Sequence, residues 1–285
     1  MPFHSVKALS GYAAEQNIPF WQAVCRLDAR EQGITEEASL ARMGHTWQAM
    51  KDAIENYDPD RLSKSGLVGR EGGLMETYAQ SGDTLCGPFV ARVMTCALKM
   101  SCSNACMRRI VAAPTAGACG VLPAVLYSFW KEKACPEEDI LHALYVAAGF
   151  GQVIAERASL SGAAGGCQAE IGSASAMAAA ALVALRGGSS DQMGHACAMA
   201  LKNLMGLVCD PVGGLVEVPC VKRNVIGAVN ALSAADMALA GIGSVIPADQ
   251  VIDAMREVGD MMDSRLKETA LGGIAVSPKA KELMG

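Results

Sequence analysis

The sequence has 285 residues, enough for one large domain or two modest ones, and 51% of them are apolar, so a sizeable core can be buried. Its net charge of -5 comes without a basic run, which excludes the phosphate-neutralising surface that nucleic-acid binding requires. Aromatics are only 5% while glycines number 30, and small side chains of this kind imply helices packed backbone near backbone.

Taken in chain order, Met1 to Ala8 carries His4 and Lys7 and no apolar core of signal-peptide length, which predicts a cytoplasmic protein. The stretch before Gly82 is charged and amphipathic and is closed by the glycine-rich run Ser65-Gly66-Leu67-Val68-Gly69-Arg70-Glu71-Gly72-Gly73. It predicts an outer helical layer over residues 1–82, packed on a more hydrophobic core over 83–285. Neither a Pro/Ser linker nor a periodic repeat separates the two, so a single domain over 1–285 is expected.

The uncharged segment Ile110 to Trp130 approaches membrane-span length, but Pro114 and Pro123 interrupt it and Thr115 to Gly120 is a small polar run. It reads as a buried loop feeding a helix, not as a span. Pro136-Glu137-Glu138-Asp139 then opens a helix that Ile140 to Arg157 continues, with acids in its first turn and a basic end. Ile171 to Arg186 predicts an Ala-rich helix stopped by Gly187-Gly188, Ser190-Asp191 opens the next, and Val225 to Ala240 and Ala248 to Leu266 follow. With no sustained strand alternation anywhere, the expected fold is all-α, a helical bundle with its functional loops at helix junctions.

Three junction loops carry residues that a purely structural bundle has little use for. Ala113-Pro114-Thr115-Ala116-Gly117-Ala118-Cys119-Gly120 sets a hydroxyl in flexible backbone that can offer N–H donors to a small anion. Ser161-Gly162-Ala163-Ala164-Gly165-Gly166-Cys167-Gln168-Ala169-Glu170 ends at the start of the Ala-rich helix, where the helix dipole favours a Cys167 thiolate. The third runs from Asn203 through Cys209-Asp210-Pro211-Val212-Gly213-Gly214 to Pro219-Cys220, with Lys222, Arg223 and Asn224 after it. Thr115 and Ser161, whose hydroxyls lie in glycine-flanked loops, are candidate substrate contacts, and Asn203 and Arg223 join them as candidate catalytic residues.

Eleven cysteines without an export signal point to free thiols or metal ligands, not to disulfides. Cys25, Cys96 and Cys197 fall within helical patterns and read as small buried hydrophobes. Cys167, Cys209 and Cys220 fall in loops, and from the residues alone two readings stay open: gap-filling thiols beside glycines, or metal ligands. Thiolates suit zinc or an iron-sulfur cluster, and the lack of a close His favours the cluster. Three cysteines would leave one metal position open to substrate. Two other patterns fail. Cys102-Ser103-Asn104-Ala105-Cys106 lacks the third cysteine of the radical C-x3-C-x2-C element, since Arg109 stands there, and Lys64 reads as a solvated loop lysine, not a Schiff-base lysine.

In their order, Ser65 to Gly69, Ile110-Val111-Ala112-Ala113-Pro114-Thr115-Ala116-Gly117, Gly166-Cys167-Gln168-Ala169-Glu170, and Cys209 to Cys220 with Arg223-Asn224 resemble the motifs of the alpha chain of bacterial iron-sulfur L-serine dehydratases. The resemblance covers nearly the whole chain. It implies that Cys167, Cys209 and Cys220 hold three irons of a 4Fe-4S cluster, which acts as a Lewis acid while L-serine is converted to pyruvate and ammonia. Members of that family often carry Gly near Arg108, and some single-chain members end in a cysteine that caps the cluster. This sequence ends Ala280-Lys281-Glu282-Leu283-Met284-Gly285 and lacks the Ser-Ser-Ser-His element of the family's beta portion. Both features predict a separate beta chain and a hetero-oligomer. Two rival readings remain: a lyase or desulfidase acting on cysteine or another β-substituted amino acid, and a noncatalytic helical scaffold.

Overall fold

In the computed structural model the described residues are 4–284; Met1 to Phe3, part of the segment read for a signal sequence, and Gly285, part of the cysteine-free end, lie outside them. The helices are α1 (Val6–Glu15), α2 (Phe20–Gln32), α3 (Glu36–Glu55), α4 (Glu71–Gln80), α5 (Gly87–Ala105), α6 (Val121–Lys133) and α7 (Glu137–Arg157). They continue with α8 (Gly162–Gly165), α9 (Ser173–Leu185), α10 (Ser190–Leu204), α11 (Cys220–Leu239), α12 (Ala248–Met261) and α13 (Pro278–Met284). No strand occurs among the described residues, in keeping with the expected all-α bundle.

The bundle is built around α9, whose residues from Ser173 to Val183 are all buried and which packs against α6, α7, α10 and α11. A helix that is apolar on every side must be enclosed by others or by lipid. Gln168–Leu185 is the one described stretch long and apolar enough to cross a membrane, and 83% of it is buried inside the protein. The Ile110–Trp130 segment forms the expected loop followed by α6.

Small residues let the helices approach closely. A Cβ on Gly149 of α7 would meet Val24 Cγ2 at 2.7 Å and Leu9 Cδ2 at 3.2 Å, so α1 and α2 seat directly on α7. A Cβ on Gly227 of α11 would likewise meet Ile171 and Val121, each at 2.9 Å. Leu9, Phe20 and Val24 of the first two helices and Trp47 and Met50 of α3 belong to the same contiguous buried core as α5 to α7 and α9 to α11. Arg157 binds Asp253 through two hydrogen bonds of 3.1 and 2.5 Å, tying the end of α7 to α12.

Helix boundaries differ from the sequence expectation in four places. The Ala-rich helix begins earlier, through a π-helical turn at Gln168–Gly172 that runs directly into α9. Ser189, not Ser190, caps α10, in a reciprocal capping box with Gln192. The helix expected from Val225 starts at Cys220, because Lys222, Arg223 and Asn224 do not form a polar loop but project from one helical turn to three separate partners. The helix expected to reach Leu266 stops at Met261, where Met262 turns extended and Asp263 caps a 3-10 turn at Ser264–Leu266.

Candidate active site

Four segments meet at one end of α9. The first is the turn from α8 into the π-helical start of α9, which carries Cys167 and Glu170. Its anchor is Gln168, 1% exposed. The Gln168 side chain donates to the Met255 carbonyl of α12 at 3.0 Å and accepts from the Gly206 N–H at 2.8 Å, while its backbone N–H donates to the Leu207 carbonyl at 2.9 Å. Gly166 permits the turn before Cys167: its φ of 77 is left-handed, and a Cβ there would lie 2.7 Å from Met262 Sδ. A π turn widens the helix locally, and such turns occur often at functional sites.

The second segment carries Cys209 in the loop after α10, and the third is the run 266–274 beyond α12. The Cys209 N–H donates to the Leu266 carbonyl at 2.8 Å, and the Glu268 N–H donates to the Cys209 carbonyl at 2.7 Å. Next in sequence, Asp210 accepts from Arg223 Nη2 at 2.8 Å and from the Ile274 N–H at 2.8 Å. Arg223 also donates to the Val208 carbonyl at 2.7 Å, so one guanidinium grips the loop on both sides of Cys209.

The fourth segment is the Pro-Thr-Ala-Gly loop, fixed to the first turn of α11 by Asn224. The Asn224 amide donates to the Gly117 and Cys220 carbonyls at 2.8 and 2.9 Å, and its oxygen accepts from the Gly120 N–H at 2.8 Å. Thr115 Oγ1 donates to Glu170 Oε1 at 2.7 Å.

At the junction, the Cys167 and Cys209 sulfurs and a Glu170 carboxylate oxygen all lie within 4.8 Å of one another. Cys220, the first residue of α11, stands outside that group but is buried beside it. The Cys209 thiol donates to Cys167, which lowers the pKa of Cys167 against the effect of burial, and the Arg223 guanidinium lowers it further. The same hydrogen bond and burial raise Cys209, so Cys167 is the more acidic thiol of the pair. Burial and the nearby negative charges of Cys167 and Glu170 push Cys220 up to about 12. Burial also raises Glu170, with Glu268 adding to the effect and the Thr115 hydrogen bond opposing it.

The walls are bare of side chains where a bound group would sit. A Cβ on Gly162 would be 2.8 Å from Glu170 Oε2 and 2.9 Å from Cys209 Sγ, and a Cβ on Gly117 would be 3.1 Å from Glu170 Oε1. Buried thiols beside a carboxylate, in a cradle that two glycines keep open, fit a thiolate-held metal centre.

The structure therefore gathers Cys167, Cys209, Thr115 and Arg223, with Cys220 adjacent. Cys220 is helical, a correction to its expected loop position that follows from the early start of α11. Ser161 is exposed and opens α8; its carbonyl accepts from the Ala164 and Gly165 N–H groups, and its hydroxyl makes no capping bond. Asn203 donates instead to Asn230 Oδ1 at 2.7 Å, linking α10 to α11. The sequence reading missed Glu170, Asp210 and Asn224 as site-building side chains. For Glu170 a signal was available, since a carboxylate three residues after Cys167 shares its helix face.

The fold and the junction define an all-helical domain organised around a thiolate-lined pocket suited to metal. A family model described as serine dehydratase alpha chain matches residues 15–275, and the chain belongs to that family. It is 45% identical over 282 residues to the probable L-serine dehydratase, alpha chain, of Bacillus subtilis (strain 168), covering 99% of this chain and 94% of that one. It is 40% identical over 270 residues to the L-serine dehydratase, alpha chain, of Peptoniphilus asaccharolyticus, covering 94% and 92%. L-serine dehydratase TdcG of Escherichia coli (strain K12) is 38% identical over 247 residues, 84% of this chain but 54% of that longer protein.

Proposed function

We propose that this chain is the catalytic alpha chain of a cytoplasmic L-serine dehydratase that converts L-serine to pyruvate and ammonia, with Cys167, Cys209 and Cys220 holding a 4Fe-4S cluster. The observation that carries this reading is the group of two buried thiols, Cys167 and Cys209, and the half-buried Glu170 within 4.8 Å, beside Gly162 and Gly117. When bound, a cluster with one iron not taken by cysteine supplies a Lewis acid for the substrate's carboxylate and hydroxyl.

The chain's own residues then divide the remaining work. Arg223 holds the Cys209 loop through Asp210 and favours the Cys167 thiolate, so it acts as a positioning residue. Thr115 orients the Glu170 carboxyl from the opposite loop. Ser161, exposed at the entrance to α8, offers a hydroxyl to the substrate. Asn203 serves as a tie between helices.

A beta chain completes the enzyme in this reading, supported by the alpha-chain family and by the much longer relative that the chain matches over half its length. Anaerobic reconstitution with iron and sulfide tests both parts. The expected result is bound iron with broad visible absorption, little pyruvate from L-serine by the chain alone, and turnover once the beta chain is added. Full turnover by the reconstituted alpha chain alone would remove the partner. A chain that binds no iron would remove the cluster.

A further inference from the structure

Glu170 is a half-buried carboxylate without a cation. Among the described residues no Lys, Arg or His forms an ion pair with it. Its Oε1 takes the Thr115 hydroxyl, while Oε2 accepts no hydrogen bond among the described residues and faces the space beside Gly162 and Cys209 Sγ. The one neighbouring charge acting on it, that of Glu268, is of its own sign. The nearest guanidinium in the site, Arg223, is already committed to Asp210, Val208 and Cys167.

Drawing a carboxylate partly out of water with no cation beside it is costly, and one that faces a pocket is a ready acceptor for a cation that the ligand brings. An α-amino acid brings one ammonium group, and a carboxylate with one oxygen fixed by Thr115 and the other free is prepared to receive it through a charge-assisted hydrogen bond.

We propose that Glu170 is the subsite for the substrate's α-ammonium group, with its free Oε2 as the acceptor, so that the pocket selects amino acids over the corresponding hydroxy acids. The inference rests on the serine dehydratase reading, and it makes Glu170 a specificity residue, distinct from the metal ligands.

L-Alanine and L-lactate are suitable probes, because they differ at Cα only in ammonium against hydroxyl and neither carries a β leaving group. Equilibrium binding of each is measured to the reconstituted enzyme with its beta chain, and bound iron is assayed in parallel. The wild type is expected to bind alanine at least about tenfold more tightly than lactate. Glu170→Gln should retain its iron and lose that preference through weaker alanine binding, and Glu170→Asp should keep much of it. For L-serine, Glu170→Gln should raise KM more than it lowers kcat.

A wild type that binds lactate as well as alanine would overturn the proposal without any variant, which keeps it testable even if Glu170→Gln fails to fold. Loss of iron in Glu170→Gln would overturn it as well, by making the carboxylate a metal ligand. Unchanged alanine preference in that variant would also sink it. A reconstituted enzyme that prefers alanine but yields no pyruvate from serine would instead defeat the proposed reaction and leave the ammonium subsite standing.

Discussion

Arg223 in the first turn of α11 reaches Asp210, the residue next to Cys209, at 2.8 Å, and the two side chains are only 16% and 3% exposed. Because Asp210 also accepts the Ile274 N–H, the pair joins α11, the Cys209 loop and the segment beyond α12 at one point. Removing one member of such a pair leaves the other buried and uncompensated. We expect Arg223→Met to cost about 3 kcal/mol or more in urea unfolding and to abolish iron retention. Arg223→Met combined with Asp210→Asn should lose less than the sum of the two single changes. Additive losses would mean that the ion pair does not couple these segments.

The cysteines separate by environment. Cys167→Ala, Cys209→Ala and Cys220→Ala should each abolish iron retention after reconstitution, whereas Cys197→Ala should keep it. Cys197 is fully buried in α10, and its loss should cost only about 1 kcal/mol, as a small core truncation does. Wild-type iron in any of the first three variants would remove that residue from the ligand set.

Gly162→Ala probes the cradle by itself. The added methyl would fall 2.8 Å from Glu170 Oε2 and 2.9 Å from Cys209 Sγ, too close to coexist with either. The variant should bind little iron and show no pyruvate formation while its circular dichroism stays helical. Gly194→Ala, in α10 with no neighbour within 4 Å of the added methyl, is the control and should stabilise by about 0.5–1 kcal/mol. Equal iron content in the two variants would show that the cradle is not where the metal binds.

His142 gives a pH signature remote from the site. Its ring stacks on Trp21 with centroids 3.6 Å apart, and burial lowers its pKa below the usual value despite the opposing charges of Glu138 and Asp139. The unfolded chain therefore binds the extra proton first as pH falls. The contribution of the neutral ring to stability is whole above an unfolded pKa of about 6.5 and is lost as pH drops through the lower folded value. Urea midpoints from pH 7 to pH 5 should fall more steeply for the wild type than for His142→Gln. Parallel curves would rule this residue out as a source of the pH dependence.

The helices were legible where local chemistry marks their ends. Pro136 with Glu137, Glu138 and Asp139 announces α7, and the Ala-rich run announces the buried centre of the bundle. Cys167, Cys209 and Thr115 could be picked out because small, polar and thiol side chains in glycine-flanked junctions are poor material for a core. What stayed hidden is set by long-range pairing. The Asp210 bond to Ile274 spans 64 residues and the Asn224 bond to Gly117 spans 107, and no periodicity encodes either. Arg223 looked like part of a polar loop because three polar residues in a row mask a helical turn whose faces have different partners. The partner of Asn203 was hidden in the same way, since its bond to Asn230 on the neighbouring helix spans 27 residues.

The parallel pairing of Cys209 with Lys267 has a consequence for the order of biosynthesis. A polypeptide leaves the ribosome from its N-terminus, and local helical contacts can pack as they emerge. The layers formed by α5 to α7 and α9 to α11 are complete before residues 266 to 268 have been made. Cys209 itself, by contrast, has no backbone partner until those residues arrive. The thiol pocket thus takes shape after the helical layers, and a chain made only as far as α11 presents a finished scaffold with the backbone of Cys209 still unpaired.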